Sequence, residues 1–408
     1  MALWDYSFLP LAIFYWPRRF KGVISEYCIG AVNGSWSDKR WLWLLSPSIP
    51  LTFTLSIAAF AVTGQWLCLL FAPFIIHAVI PILDIAFGED FSNPPESAVE
   101  NLNKDLFYRI MVWLYVPFQL IGTVYGAWLA STQSLDWYVY IALILTVGSI
   151  NGIGIGTAHE LGHKQESLDR WLSKLALAPS MYGHFFVEHN RGHHKRVATP
   201  EDPASARMGE SFWSFLPRTV WGSLISAWNL ERERLARKGK GVWSIQNENL
   251  QAWSLGIIFY GALIIWLGWP ALIFLVLQGI YAASMLEVVN YVEHYGLLRQ
   301  KENGEYVRCA PEHSWNSNHI VGNILLYHLQ RHSDHHAHPT RRYQALRHFD
   351  EAPQLPGGYA SMITLAYFPP LWFALMDQRV VRHYAGDMSK INLQPSAKQR
   401  IIHDWGNK

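Results

Sequence analysis

The sequence predicts an all-α membrane protein: six transmembrane helices with a cytoplasmic, histidine-rich helical cap that holds a dinuclear metal site. Three observations lead there. Six stretches reach the roughly 20 predominantly apolar residues that a spanning helix needs. Lys and Arg are confined to alternate connectors between those stretches, and a large share of the 18 histidines falls into four clusters. Composition agrees. Half of the 408 residues are hydrophobic, 14% are aromatic and 16% are charged, against about 25% charged in a typical soluble domain. That balance argues against the two or three soluble domains the length alone would suggest. The net charge of +2 gives no support for a nucleic-acid partner. Cys28, Cys68 and Cys309 are scattered and form neither a disulfide framework nor a Cys-x-x-Cys metal site.

Taken in order, residues 1–40 read as an interfacial arm. Its first 17 residues are apolar and aromatic but carry Asp5, Pro10 and Pro17, and Arg18-Arg19 follow the apolar part, which is the reverse of a signal peptide. The six spans are 42–62, 66–87, 110–130, 137–157, 252–267 and 270–292, with no Lys or Arg in their cores. Connectors 63–65, 131–136 and 268–269 contain no basic residue, whereas the arm, the 88–109 loop and both long polar segments do. Basic loops stay cytoplasmic, so both termini and every long segment are expected inside. The chain divides into the arm, spans one to four (41–157), a cytoplasmic segment (158–250), spans five and six (251–293) and a cytoplasmic C-terminal segment (294–408). Within the first long segment, 205–240 mixes Trp213, Trp221 and Trp228 with Arg232, Arg234 and Arg237. It reads as one or two amphipathic helices lying against headgroups. The apolar run 359–376 is broken by Pro369-Pro370 and does not qualify as a span.

The clusters carry the chemistry, because imidazole is the commonest transition-metal ligand in proteins. The first is His159-Glu160-Leu161-Gly162-His163, at the end of span four. The second is Glu188-His189-Asn190-Arg191-Gly192-His193-His194. The third is Glu293-His294, at the end of span six, and the fourth is His332-Ser333-Asp334-His335-His336. On an α-helix, residues i and i+4 lie about 40° apart and neighbours about 100° apart. His159 with His163, His189 with His193, and His332 with His336 therefore pair, and the adjacent His193-His194 and His335-His336 imply two metals. The α-helical sorting sends His159, His163, His189, His193 and His335 to one metal. It sends His194, His294, His332 and His336 to the other. Nine nitrogens and no thiolate disfavour a closed structural zinc site, which takes four ligands, and suit a redox metal that binds oxygen. Glu160, Glu188, Glu293 and Asp334 are expected to hold the far nitrogens of these imidazoles, not necessarily each its own neighbour. Asp84, Asn151 and Glu287 lie in or at the edge of spans and are assigned to a substrate channel or its support. Glycines 148, 152, 154 and 156 allow close helix packing or leave room for a slim apolar ligand. The channel is expected among spans two, three, four and six. His338 and the remaining histidines stay outside the ligand set.

The four clusters, together with Asn290-Tyr291-Val292-Glu293-His294-Tyr295-Gly296, Gly88-Glu89-Asp90-Phe91-Ser92-Asn93-Pro94-Pro95 and Ser314-Trp315-Asn316-Ser317-Asn318-His319-Ile320, resemble those of the integral-membrane alkane 1-monooxygenases over roughly residues 40–390. These belong to the wider membrane fatty-acid desaturase and hydroxylase superfamily. The resemblance implies two non-haem iron ions, O2, and hydroxylation of the terminal methyl of a medium- or long-chain n-alkane to a 1-alkanol. It also implies electrons from NADH through rubredoxin reductase and a separate rubredoxin, and a place in the bacterial cytoplasmic (inner) membrane. The resemblance leaves a related desaturase or xylene-type monooxygenase as the alternative. His159-Glu160-x-x-His163 also matches an intramembrane zinc protease, with Glu160 as base, but that reading leaves the other clusters unexplained. A metal transporter is the non-catalytic rival.

Overall fold

A computed structural model describes residues 36–406; most of the expected interfacial arm lies outside the described residues. Among the described residues, six helices are long and apolar enough to cross a membrane: α1 (Arg40–Thr63), α2 (Trp66–Phe87), α4 (Leu106–Thr132), α5 (Trp137–Gly162), α8 (Glu248–Leu267) and α9 (Trp269–His294). The short α3 (Glu96–Lys104) precedes α4, and α6 (Ser167–Ala176) and α7 (Phe212–Ala236) lie in the first long polar segment. The C-terminal segment forms a hairpin of β1 (Lys301–Glu302) and β2 (Glu305–Tyr306), then α10 (Ile320–Leu325), α11 (His332–Ala337), α12 (Tyr359–Ala366), α13 (Pro369–His383) and α14 (Lys398–Trp405). The spans match the hydropathic expectation, and several run further at their polar ends. There Asp105 accepts from the amide of Phe107 to start α4, and Asn247 accepts from those of Asn249 and Leu250 to start α8.

Short connectors make successive spans antiparallel, so the ends of α2, α5 and α9 and the starts of α1, α4 and α8 share one face. The whole described histidine-bearing cap is built on that face. α5 is the innermost span and α2 and α8 the outermost. α5 packs along α9 because two of its glycines permit it. A Cβ on Gly148 would lie 2.5 Å from the Tyr281 ring, and one on Gly152 would lie 2.9 Å from Cβ of Met285. Exposed Ile257, Ile258, Ile265, Ile273 and Ile280 form an apolar outer surface, and exposed Trp137, Trp266 and Trp269 sit at the connectors on the opposite face.

The amphipathic segment is one 25-residue helix, α7. It buries Phe215, Thr219, Ser223 and Ala227 against α9 and the second histidine cluster and leaves Trp213, Trp221 and Ile225 exposed. In the C-terminal segment, Pro369-Pro370 start α13, and the chain breaks at Tyr367-Phe368 as their geometry requires.

Candidate metal centre

The nine histidines singled out by spacing meet in two groups. His159, His163, His189, His194 and His335 form one, and His193, His294, His332 and His336 the other; within each, the candidate ligand atoms lie within 4.8 Å of one another. His159 sits on the last turn of α5, with His163 just beyond its end; their ring centroids are 5.1 Å apart. His189 approaches both rings, at 4.4 and 5.0 Å. His335 on α11 reaches across the cap to within 4.3 Å of His159 and 4.5 Å of His163, centroid to centroid. His294, the last residue of α9, lies beside His332 and His336, which share a face of α11.

One pair is exchanged relative to the α-helical sorting. His194 belongs with His189, its Nε2 3.0 Å from Nε2 of His189 and 3.1 Å from that of His335. His193 belongs with His294 and His336, at ring distances of 4.9 Å. The cause is the backbone. Residues Glu188–His193 form a π-helical turn, in which each N–H bonds five residues back rather than four. The wider turn brings i and i+5 toward one face, so His194 follows His189 and His193 turns to the other group.

The donor set suits metal. Burial, then crowding by the other imidazoles, holds His163, His189, His194, His332, His335 and His336 well below the ordinary histidine pKa. They are neutral, the form that binds metal. Ring nitrogens converge on one another: Nε2 of His332 lies 2.9 Å from Nε2 of His336 and 3.2 Å from Nε2 of His294. The buried Nε2 atoms of His159, His163 and His193 have no hydrogen-bond partner among the described residues.

The carboxylates are deployed differently from the expectation. Asp202, which spacing did not reveal, meets Nδ1 of His193 at 2.9 Å and accepts from the Ser205 hydroxyl at 2.6 Å. Burial opposes its charge, but His193 and Ser205 outweigh that and keep it below the usual carboxylate range. Glu160 instead pairs with Lys164 at 2.9 Å and accepts from the Tyr343 amide. Glu188 pairs with Arg196 at 2.7 Å, and burial still pushes it up to about 7. Asp334 binds His338 and Arg341 and accepts from the Arg347 amide. Of the four, Glu293 alone contacts a clustered imidazole, its Oε2 3.1 Å from Nε2 of His332. The far nitrogen of His294 faces the carbonyl of His313 at 3.3 Å. His338 faces Asp334, and His328 faces the carbonyl of Tyr343.

The phrases flanking the clusters hold them in place. Arg331, fully buried, donates to carbonyls of Asp90, Ser92 and Leu346, tying the 88–95 loop to the start of α11. Asn316 clamps Ser333 through both its amide nitrogen and its oxygen.

Below the first group lies an apolar cavity among the spans. It is lined by Ile49 of α1, Ile76 and Ile80 of α2, Gly152, Ile153 and Gly156 of α5, and Met285, Leu286 and Val289 of α9, with the C-terminal segment closing it through Leu326, Leu329 and Ile363 among others. Gly156, Leu326 and Leu329 also border a smaller space walled by His159, Glu160, Tyr327 and His335. The wall differs from the expected one, since α4 contributes nothing and α1 and the C-terminal helices do. Among the glycines, Gly148 and Gly152 are packed tightly, whereas a Cβ on Gly156 would meet only Leu329, at 4.0 Å.

Asp84, Asn151 and Glu287 are not in that wall. Asp84 accepts from the amide of Gly322 and anchors α10. Asn151 accepts from Gln119 and donates to Gln278, linking α4, α5 and α9. Glu287 accepts from Tyr182, Thr219 and Asn290. All three stitch helices to one another.

Residues 135–366 match the fatty acid desaturase family model. The chain is 48% identical over 372 residues to the alkane 1-monooxygenase of Acinetobacter baylyi, covering 90% of this chain and 91% of that protein. It is 46% identical to alkane 1-monooxygenase 1 of Alcanivorax borkumensis, covering 91% of this chain and 92% of the relative. A xylene/toluene monooxygenase hydroxylase component of Pseudomonas putida is more distant, at 28% identity over 82% of this chain and 88% of that protein. Six apolar helices, two buried histidine groups on one face and near end-to-end likeness to these proteins lead to one assignment: the chain is a member of the fatty acid desaturase family and, within it, of the alkane 1-monooxygenases.

Proposed function

We propose that the chain hydroxylates the terminal methyl of medium- to long-chain n-alkanes to 1-alkanols. In this reading the nine histidines hold two non-haem irons, O2 is the co-substrate, and electrons come from rubredoxin and its NADH-dependent reductase. The observation that carries the reading is the apolar cavity that leads past Gly156, Leu326 and Leu329 to the space beside His159 and His335. An n-alkane has no polar handle, so its binding rests on burial, at about 0.8 kcal/mol per methylene. A wall of aliphatic side chains and glycines among membrane spans meets that need, and the bilayer is the natural reservoir.

Iron at the two histidine groups would supply the reductive activation of O2. The remaining work falls to the chain. Leu326 and Leu329 flank the way to the histidines and admit an alkyl chain end-on, so position selects the methyl carbon over weaker internal C–H bonds. Asp202 orients His193, and Asn316 fixes the start of α11 through Ser333. The Lys164–Glu160 pair stands between the inner space and an open recess bordered by Asn103, His163, Glu166, Thr340 and Arg342. That recess is the aqueous approach to His163, and an electron donor would dock over it. In this reading the face, and the cap formed by residues 158–250 and 294–408, lie on the cytoplasmic side of a bacterial inner membrane, an orientation that the basic connectors support.

Metal analysis combined with product chromatography tests the proposal. Purified protein is expected to carry two irons per chain. Given rubredoxin and reductase, it should convert octane or hexadecane to the 1-alkanol, with oxygen from labelled O2. One zinc and no iron per chain would sink it. So would desaturation of a fatty acyl substrate, or oxidation of xylene, with no alkanol from any alkane.

A further inference from the structure

We infer that Tyr327, Tyr343 and Tyr108 form a relay that carries oxidising equivalents from the histidine site to the protein surface when no substrate is there to consume them. The inference rests on the O2-activating reading above. Tyr327 is in the wall of the space bordered by His159 and His335. Its ring centroid lies 5.1 Å from that of Tyr343, which in turn lies 6.1 Å from Tyr108 and 4.8 Å from Trp43. Tyr108 contacts Phe107, and Phe107 contacts the exposed Trp41. Tyr327, Tyr343 and Tyr108 thus stand in line at separations that permit rapid electron hopping, and Phe107, which is not itself oxidised, bridges Tyr108 to the exposed Trp41.

Two further features distinguish this line from ordinary aromatic packing. Tyr327 and His328 both adopt left-handed backbone conformations, with φ of 52° and 53°, which non-glycine residues rarely take. The backbone therefore holds Tyr327 against the site at some conformational expense. The phenols also differ in their acceptors. Tyr327 and Tyr343 donate to backbone carbonyls, of Met111 and Tyr108. A carbonyl does not accept a proton, so these two rings transmit an electron without settling as neutral radicals. Tyr108 donates to the carboxylate of Asp38 at 2.5 Å, and Asp38 is exposed. Tyr182, one ring removed from His189 through Phe185, and Tyr295, next to His294 in the chain, end instead on Glu287 and Asp377, which are themselves buried.

The step balances as follows. One electron leaves Tyr108 and passes through Tyr343 and Tyr327 to reduce the oxidised metal centre by one equivalent. The phenolic proton moves to Asp38, leaving a neutral tyrosyl radical. A thiol or ascorbate at the exposed Trp41 then returns one electron, and the phenolic proton comes back from Asp38.

The test uses the iron-loaded, membrane-embedded enzyme with reductant and O2 but no alkane. Freeze-quenched electron paramagnetic resonance should show a tyrosyl radical that sharpens when ring-deuterated tyrosine is incorporated. The signal should be lost in Tyr108→Phe and in Tyr343→Phe. Both variants should keep the wild-type initial rate of alkane hydroxylation yet inactivate in fewer substrate-free turnovers, and Asp38→Asn should accumulate less radical. An undiminished radical in both variants, or equal substrate-free lifetimes, would overturn the relay. If the loaded protein consumes no O2 at all, the O2-activating reading itself fails, whereas O2 consumption without the radical overturns the relay alone.

Discussion

His193 and His194 are neighbours in the chain and belong to different groups, and that division carries the clearest expectation at the scale of single residues. His335 sits in the five-histidine group and His332 in the four-histidine group. His335→Ala and His332→Ala should each lower bound metal by about half, the two losses falling on different sites, a difference visible by metal analysis and Mössbauer spectroscopy. Asp202 supports one group only, through His193. Asp202→Asn should weaken metal retention there by about 10–100-fold while the other group stays loaded, as read by titration with a chelator. The nine histidines were legible because pairs at i, i+4 recur beside apolar spans. Asp202 was not: it follows His193 by nine residues across a turn, a separation no regular element makes meaningful. Glu160, Glu188 and Asp334 adjoin histidines in sequence, but Lys164, Arg196 and Arg341 lay first claim to them.

At the scale of elements, α5 does two jobs along one stripe of glycines. Gly148 and Gly152 let α9 approach, while Gly156, at the level of the histidines, opens on the passage between cavity and site. A side chain at 156 meets no backbone and would project into that passage. Gly156→Leu should therefore keep the fold and shorten the longest alkane accepted. Each methylene that can no longer be buried costs about 0.8 kcal/mol, close to a fourfold drop in relative kcat/KM. Chromatography of products from a graded alkane series would show it, and an unchanged chain-length profile would remove the passage from the substrate path. The π-helical turn at Glu188–His193 is the other element whose geometry matters. Its i, i+5 bonding is what exchanges His193 and His194, and an i, i+4 pattern looks the same on either kind of helix until the backbone is seen.

For the molecule as a whole, the C-terminal segment is both roof and wall. Beyond α9 it supplies three of the nine histidines, part of the cavity lining, and Tyr295, Trp372 and Met376, which pack with Tyr291 of α9 in a buried core. Asp377 is buried in that core, receives the Tyr295 hydroxyl at 2.7 Å, and is pushed up to about 6, with burial the leading cause. A carboxyl raised in the folded state favours folding most below its unfolded pKa. Stability should thus fall as pH rises from about 4 to about 6 and level off above that, by on the order of 3 kcal/mol. Asp377→Asn should flatten that part of the profile when melting in detergent is compared across this pH range; parallel wild-type and variant curves would show that the buried carboxyl does not titrate there.

The sequence by itself determined the spans, their number and alternation, and the identity of the clustered histidines. Each of these is written in a local period or a run length: about 20 apolar residues to cross a bilayer, and four residues to bring two side chains over one another. The tertiary structure decided which imidazole joins which group, which carboxylate supports a histidine, and which helices line the cavity. Those outcomes depend on a π-helical turn, on the contact of Asp202 with His193 and on α10 and α12 packing against the spans. They are set by packing between segments distant in the chain, and no local period records them.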